Sequence, residues 1–386
     1  MAREQIVIAG AARTPMGAFQ GALAGQSAPT LGANAIQAAL AGAGLGPEQV
    51  DEVIMGCVLP AGLGQAPARQ AARGAGLPDA VPCATLNKVC GSGMKTAMLA
   101  HDLIAAGSAR IVIAGGMESM TNAPYLLEKA RGGYRMGHGR VMDHMFLDGL
   151  EDAYDKGRSM GTFAEDCAEH YQFTRDAQDA YTLESLDRAR TAIAAGAFAG
   201  EIVAVDGVSD DEQPSRAKPE KIPSLRPAFR ENGTVTAATS SSISDGAAAL
   251  VIAGIEAATA AGLTPRARIL GHASHAQEPN WFTTAPIHAI RKLLDKLDWT
   301  AGDVDLFEIN EAFAVVAMAA MRDLDLPHDK VNVNGGACAL GHPIGCSGAR
   351  IIVTLLHALE ARGLKRGIAS LCIGGGEATA IAIETL

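Results

Sequence analysis

The chain has 386 residues, 48% of them hydrophobic, and a formal net charge of −10. That length allows two or three domains with sizeable cores, and the composition excludes a disordered chain. The acidic balance argues against nucleic-acid binding, and no run approaches 18 consecutive apolar residues, so no membrane span is expected.

The N-terminus runs at once into a strand-like segment, 6–11, with no signal-peptide core. A helix pattern over 29–40 stops at Gly42, Gly44 and Gly46, and 53–58 reads as a strand. A helix starts just after Cys90 and includes 99–106; 110–114 is a short buried strand ending in Gly115-Gly116. The alternation then breaks from about Thr121 to Ala237. This stretch holds a Gly- and Met-rich charged loop (131–158) and a helix over 175–195, with Thr174 as N-cap and Asp176 in its first turn. A polar segment, 209–222, follows. It reads as an insertion between two elements of the first half, to which 246–253 returns. The last third repeats the opening plan. Strands are expected at 268–270, 305–309, 331–333 and 368–373, and helices over 286–297, 311–324 and 347–361.

An internal repeat is visible. Gly91-Ser92-Gly93, a helix and Ile111-Val112-Ile113-Ala114-Gly115-Gly116-Met117-Glu118 parallel Cys346-Ser347-Gly348, a helix and Ser370-Leu371-Cys372-Ile373-Gly374-Gly375-Gly376-Glu377. Two similar α/β halves facing each other are therefore expected, with a site between them. The domain reading is 1–120 plus 238–265 for the first half, 121–237 for the insertion and 266–386 for the second half.

Three motifs carry chemistry. Cys90 lies in Asn87-Lys88-Val89-Cys90-Gly91-Ser92-Gly93, at a strand-to-helix transition where a helix N-terminus would lower its thiol pKa. His342 lies in the rigid turn Gly341-His342-Pro343-Ile344-Gly345, which suits a base of fixed orientation. Cys372 ends an apolar strand before Gly374-Gly375-Gly376, whose N–H groups could bind an oxyanion. Alone, either cysteine reads equally well as a small core residue, and His342 as an exposed turn residue. Together, a thiolate that holds an acyl group, a histidine that activates it and a second thiol that moves a proton on carbon suit Claisen chemistry on thioesters. Asn310, in Asn310-Glu311-Ala312-Phe313, is placed either as a helix N-cap or to order a water beside a thioester oxygen. Cys338, His342 and Cys346 have a Cys-x3-His-x3-Cys spacing that invites zinc; the spacing is unusual, and Pro343 and the glycines argue against a ligand helix, so no metal is expected. The glycine triple meets neither the dinucleotide nor the P-loop pattern. Arg216, Lys218, Lys221, Arg226 and Arg230 form a basic run, either a solvated face or a contact for a phosphate-bearing cofactor. Seven cysteines, an odd number spread thinly, fit reduced thiols in a cytoplasm better than a disulfide framework.

Taken together, these motifs resemble the thiolases, the family of acetyl-CoA acetyltransferases and 3-ketoacyl-CoA thiolases. The resemblance runs from Arg13-Thr14-Pro15-Met16-Gly17 to the C-terminal glycine-rich strand. It implies an α/β thiolase fold of two similar αβαβα-type halves with an inserted loop subdomain that binds CoA, and assembly as a homodimer or homotetramer. It implies reversible condensation of two acetyl-CoA, or of acyl-CoA with acetyl-CoA, through an acyl-cysteine. CoA and acyl-CoA are then substrates, and no cofactor is permanently bound. Cys90 resembles the nucleophile, His342 its activating base and an oxyanion donor, and Cys372 the acid/base at the substrate α-carbon. Asn310 is similar to the residue that positions a water in one oxyanion hole; the N–H groups of Cys90 and Gly374 would form the other. Ser241 matches a pantetheine contact and Arg226 a nucleotide-side contact. Two departures stand out: Ser159-Met160-Gly161 occupies the place of a family His-Met-Gly, and Phe282 that of a family methionine near the acyl pocket, which suggests short acyl chains. A decarboxylating ketoacyl synthase of the same superfamily is disfavoured because it lacks the second thiol. A non-catalytic acyl-CoA-binding relative is disfavoured because the catalytic set is intact.

Overall fold

The structure is a computed structural model that describes residues 4–386; the reading of the extreme N-terminus lies partly outside them. In the first half, β1 (Ile6–Arg13), β2 (Gly17–Ala18) and α1 (Ala28–Ala43) lead to β3 (Glu52–Gly56), α2 (Pro67–Gly74) and β4 (Cys83–Leu86), then α3 (Ser92–Ala105) and β5 (Ile111–Ser119). The chain next leaves the sheet. It forms a small hairpin of β6 (Tyr125–Leu126) and β7 (Met142–Asp143), then α4 (Met160–Tyr171), α5 (Arg175–Ala194) and α6 (Glu212–Arg216). It re-enters as β8 (Ser244–Gly254), antiparallel to β5, and continues to α7 (Ile255–Ala260). The second half holds β9 (Ala267–Ala276), α8 (Ala285–Leu297), β10 (Leu306–Ile309), α9 (Ala314–Asp323), α10 (Ala337–Leu340), α11 (Ser347–Arg362), β11 (Arg366–Ile373) and β12 (Glu377–Thr385).

The strands form one sheet in the order β10-β11-β12-β9-β1-β8-β5-β3-β4, with β2 paired to β8. Outward from the β1/β9 seam, both halves read alike: two antiparallel pairings, then a parallel one. The repeat seen in the sequence is thus a repeat of topology, with β5 matching β11 and α3 matching α11. β1 and β8 are buried along their whole length, which is why they read as unbroken apolar runs.

Three cores set the layering. One lies under α1 and α2, on residues such as Leu31, Ile36, Val53 and Val251. A central one joins Met94 and Met98 of α3, Ile352 and Leu355 of α11, Val112 of β5 and Leu371 of β11. The third lies under α8 and α9, on Ile290, Leu293, Val316 and Ile368. With α3 and α11 packed between the two halves of this one sheet, the layers read helix, half-sheet, helix, half-sheet, helix, an αβαβα stack. The central helices cross with their backbones in contact. A Cβ on Gly93 would lie 2.7 Å from Ala349 N, and one on Gly348 would lie 2.3 Å from Met94 N. This crossing brings the start of α3, beside Cys90, to the start of α11, beside His342.

Arg13, fully buried at the end of β1, ties the insertion down. It holds Glu201 at 2.6 Å and Asp211 through two bonds of 2.7 and 2.9 Å; burial opposes its charge, and the carboxylates of Asp211 and Glu201 outweigh burial and keep it charged. Thr174 caps α5 as expected, its Oγ1 accepting from Ala177 N at 3.2 Å.

Two expected elements differ. Residues 331–333 are not a strand; one parallel bridge, Phe307 to Val331, survives. Asn332 takes a left-handed φ of 49°, which ends extended pairing, and its side chain replaces the ladder by bonding Ile309 N at 2.8 Å and Ile309 O at 2.9 Å. The helix expected from Glu311 begins at Ala314, with Phe313 at the cap position, so Asn310 is not an N-cap.

Candidate active site

Cys90 sits in a tight turn two residues before α3. Val89 adopts φ 47°, unusual for a β-branched residue. The turn is held from both sides: Asn87 Oδ1 accepts from Val89 N at 2.8 Å, and Ser92 Oγ accepts from Lys88 N at 2.8 Å while donating to Val89 O at 2.6 Å. Gly91 lets Ile373 pack close: a Cβ there would lie 2.4 Å from Ile373 Cδ1 and push that side chain aside. That contact lays the end of β11 against the nucleophile's turn. The expectation of a lowered Cys90 pKa does not hold in the free protein. Burial pushes the thiol up to about 11, with a small further push from Glu118; the N–H groups of Gly374 and of Cys90 itself pull the other way. Desolvation outweighs the helix terminus.

His342 is buried, at 5% exposure. Its Nδ1 meets Ser347 Oγ at 2.6 Å, and that hydroxyl donates to Pro343 O at 2.9 Å. The hydroxyl proton being used, Ser347 accepts from Nδ1–H. Nε2 is therefore the bare nitrogen, and it has no partner among the described residues. Burial and the nearby Arg350 pull the imidazole down to about 3, so it rests neutral and ready to accept a proton.

Cys372 lies in β11, opposite Ala378 of β12, and is 1% exposed. Burial, then the neighbouring Cys90 sulfur, raises its thiol well above the ordinary range. Asn310 is also buried, and neither its amide oxygen nor its amide nitrogen has a partner among the described residues. Its neighbour Glu311 accepts from Tyr181, Asn332 and Ser185 side chains at 2.8 to 3.2 Å and from Cys338 N at 3.0 Å, which anchors the loop.

Cys90, His342, Cys372 and Gly374 all open onto one cavity of about 410 Å³. Ser241 lines it too; its N–H and hydroxyl both donate to Ala312 O at 3.0 Å, so its oxygen lone pairs remain for a ligand. Phe282 closes one wall, 3% exposed and edge-on to Phe163 at 6.0 Å. Ser159 lines the cavity at the start of α4 without capping it. Arg226 stands apart: it is exposed and is not part of the cavity wall, although Ala228 and Phe229 of the same loop are. The basic run divides. Arg216 is paired with Glu212 at 2.8 Å, and Arg230 with Asp166 and Glu169, while Lys218, Lys221 and Arg226 are exposed.

The zinc spacing does not converge. Cys338 Sγ donates to Glu311 O at 3.6 Å, His342 turns to Ser347, and Cys346 points into the central core. Among the described residues, metal-ligating side chains gather instead at His101, Asp102 and His272, far along α3. There one Asp102 oxygen already meets both imidazoles, at 3.1 and 2.9 Å.

Sequence reasoning missed Ser347 and Glu118. The repeat held the signal for the first, because Ser347 corresponds to Ser92 and both bond back to the preceding turn. For the second, the signal was a carboxylate closing an otherwise apolar buried strand.

Comparison with known proteins gives the family. Residues 6–256 match the model of the thiolase N-terminal domain and residues 263–385 that of the thiolase C-terminal domain. An acetyl-CoA acetyltransferase of Escherichia coli K12 is 51% identical, over 98% of this chain and 99% of its own length. Acetyl-CoA acetyltransferase 2 of Arabidopsis thaliana is 50% identical, over 99% and 97%. The crystal structure of a thiolase from Ascaris suum in complex with coenzyme A superposes with a TM-score of 0.95 at 42% identity, covering 99% of this chain and 100% of that one. With both domain models matched along nearly its whole length, the chain belongs to the thiolase family.

Proposed function

We propose that this thiolase is an acetyl-CoA C-acetyltransferase that condenses two acetyl-CoA, or acyl-CoA with acetyl-CoA, and cleaves the 3-ketoacyl product in reverse. One observation carries the reading: two thiols and a neutral histidine with a free Nε2 share one cavity wall.

In this reading Cys90 attacks the thioester carbonyl and passes its proton to His342 Nε2. The carbonyl oxygen gains charge and is held by the N–H groups of Cys90 and Gly374. The departing CoA thiolate takes the proton of Cys372 and leaves it a base. Cys372 then removes a proton from the α-carbon of a second acetyl-CoA. The protonated His342 and a water on Asn310 hold the enolate oxygen. The enolate attacks the acyl group, Cys90 leaves as thiolate, and His342 returns its proton. Every proton is restored, so the steps run in either direction.

Ser241 would accept a hydrogen bond from the pantetheine arm, and Arg226 would meet the nucleotide end outside the cavity. Residues 121–237 form the CoA-binding insertion, between 1–120 with 238–265 and 266–386. Phe282 shortens the pocket toward small acyl groups. A homodimer or homotetramer and a cytoplasmic setting fit this reading; no helix among the described residues is long and apolar enough to cross a membrane, and all seven cysteines are free. The test is a thiolysis assay over 3-ketoacyl-CoA chain lengths, with mass spectrometry after brief acetyl-CoA exposure. An adduct on Cys90 and activity on acetoacetyl-CoA are expected. An adduct confined to Cys338 or Cys346 would overturn the assignment.

A further inference from the structure

Glu118, the next-to-last residue of β5, is fully buried and does not line the cavity. All its partners are donors. Oε2 accepts from Val58 N and from Gly345 N, each at 2.9 Å; Oε1 accepts from Leu59 N at 3.1 Å and from the Cys57 thiol at 3.5 Å. Burial pushes this carboxyl up to about 7, while donors on both oxygens, the N–H groups of Val58, Leu59 and Gly345 and the Cys57 thiol, pull it back toward the ionised form. Val58 and Leu59 belong to the turn after β3, in the first half. Gly345 belongs to the loop of the second half that carries His342, three residues away. Ile344, between them, packs on Val58, Leu59 and Met120, with Cys90 against the same cluster.

The fit leaves no slack. A Cβ on Gly345 would lie 2.6 Å from Glu118 Oε2, and one on Gly116 would lie 2.0 Å from Gly345 O. The loop passes close enough for its backbone to be held directly. The imidazole ring is oriented by Ser347, of the same half as His342, and the loop has one further backbone tie to the first half, His342 N donating to Ser242 O at 3.1 Å. A contact within one half cannot set the distance to a nucleophile that the other half carries.

We propose that Glu118 is a positioning residue: its carboxylate clamps the His342 loop to the first half and so sets His342 against Cys90. The inference rests on the roles given above to those two residues. Glu118 touches neither thiol of the reaction and acts through the loop.

The test is a double-mutant cycle on the rate at which acetyl-CoA acylates Cys90, followed by quench and mass spectrometry. Glu118→Asp keeps the charge but shortens the arm by about 1.5 Å, so it cannot span both loops. A displacement of about 1 Å at His342 slows acylation about 100-fold. Glu118→Gln keeps the shape. Its oxygen can still serve Val58 and Gly345 through neutral bonds of about half the strength, but its NH2 faces the Leu59 N–H donor to donor, and a loss of at least about tenfold is expected. In a His342→Ala background both substitutions should change the rate by no more than about twofold, because nothing is left to position. If both losses recur at full size in that background, Glu118 serves the fold alone and the clamp is wrong. Wild-type acylation rates in both single variants would also overturn it. If His342→Ala itself acylates normally, the base assignment fails instead, and the two failures are told apart. Should Glu118→Asp not fold, the same cycle with the isosteric Glu118→Gln decides between these results.

Discussion

Ser347→Ala tests how the histidine is aimed. The hydroxyl accepts from His342 Nδ1 at 2.6 Å and donates to Pro343 O at 2.9 Å. Pro343 O also takes Ser347 N at 3.0 Å and Cys346 N at 2.9 Å, so losing the hydroxyl leaves that carbonyl satisfied. The damage falls on the imidazole. Its Nδ1–H loses its acceptor inside the protein, which costs about 1–3 kcal/mol. The ring can escape by moving its proton to Nε2, but then no base faces Cys90. Either way, acylation loses that energy, and about 1.4 kcal/mol is a factor of ten, so the rate should fall about 5- to 150-fold. Rapid-quench measurement of the acyl-enzyme gives the rate, and steady-state thiolysis separates kcat from KM. The loss should appear in kcat with KM little changed, because Ser347 is fully buried and does not line the cavity. Ser347→Thr, which keeps a hydroxyl, should recover most of the rate. Wild-type acylation by the alanine variant, or a threonine variant no better than alanine, would refute the tautomer argument.

Cys372→Ala should still form the acyl-enzyme but lose condensation and thiolysis by at least about 100-fold, as for removal of a general base, along with solvent deuterium exchange into acetyl-CoA. Near-normal condensation would sink the two-thiol mechanism. Phe282→Ala should shift the ratio of kcat/KM for long over short 3-ketoacyl-CoA upward, measured across a chain-length series; a wild-type enzyme that already prefers long chains contradicts the pocket argument. Alkylation of Cys90 by iodoacetamide in the free protein should be slow at neutral pH and keep rising toward pH 11, since burial raises the thiol to about 11 and only the thiolate reacts; a plateau below pH 8 would show a thiolate already formed at rest. Arg13→Met leaves Glu201 and Asp211 as buried carboxylates without their cation and should cost about 3–5 kcal/mol, read as a lower denaturation midpoint.

The parts of the molecule that followed from sequence are those where local chemistry and tertiary demand agree. Strands such as β8 announce themselves by unbroken apolar runs, and Thr174 caps α5 by the usual hydroxyl-to-N–H bond. The three motifs that hold Cys90, His342 and Cys372 were visible because tight turns need glycine and reactive groups need particular residues. What was hidden depends on the other half of the molecule. Asn332 sits in what looks like a strand, yet its side chain takes over the ladder to Ile309. Asn310 has the look of a cap, yet the helix starts four residues later and its amide is left unpaired. The Cys90 pKa could not be read locally, because its sign is set by how deeply the facing half buries it.

The same burial explains why the site rests uncharged. It raises Cys90 and Cys372 and lowers His342 to about 3. A thiolate–imidazolium pair is therefore unfavourable until something else stabilises it. Polar groups for this are already in place: the N–H groups of Gly374 and Cys90 face the sulfur, and the buried amide of Asn310 and Nε2 of His342 have no partners among the described residues. Leaving such groups unpaired is costly to the fold, on the order of 1–3 kcal/mol each. In the function proposed above, that cost is offset as charge develops on a substrate oxygen beside them, so these groups would bind the transition state better than the empty site or the bound thioester. In the resting site, before acylation, two thiols can therefore share one cavity without either being a thiolate.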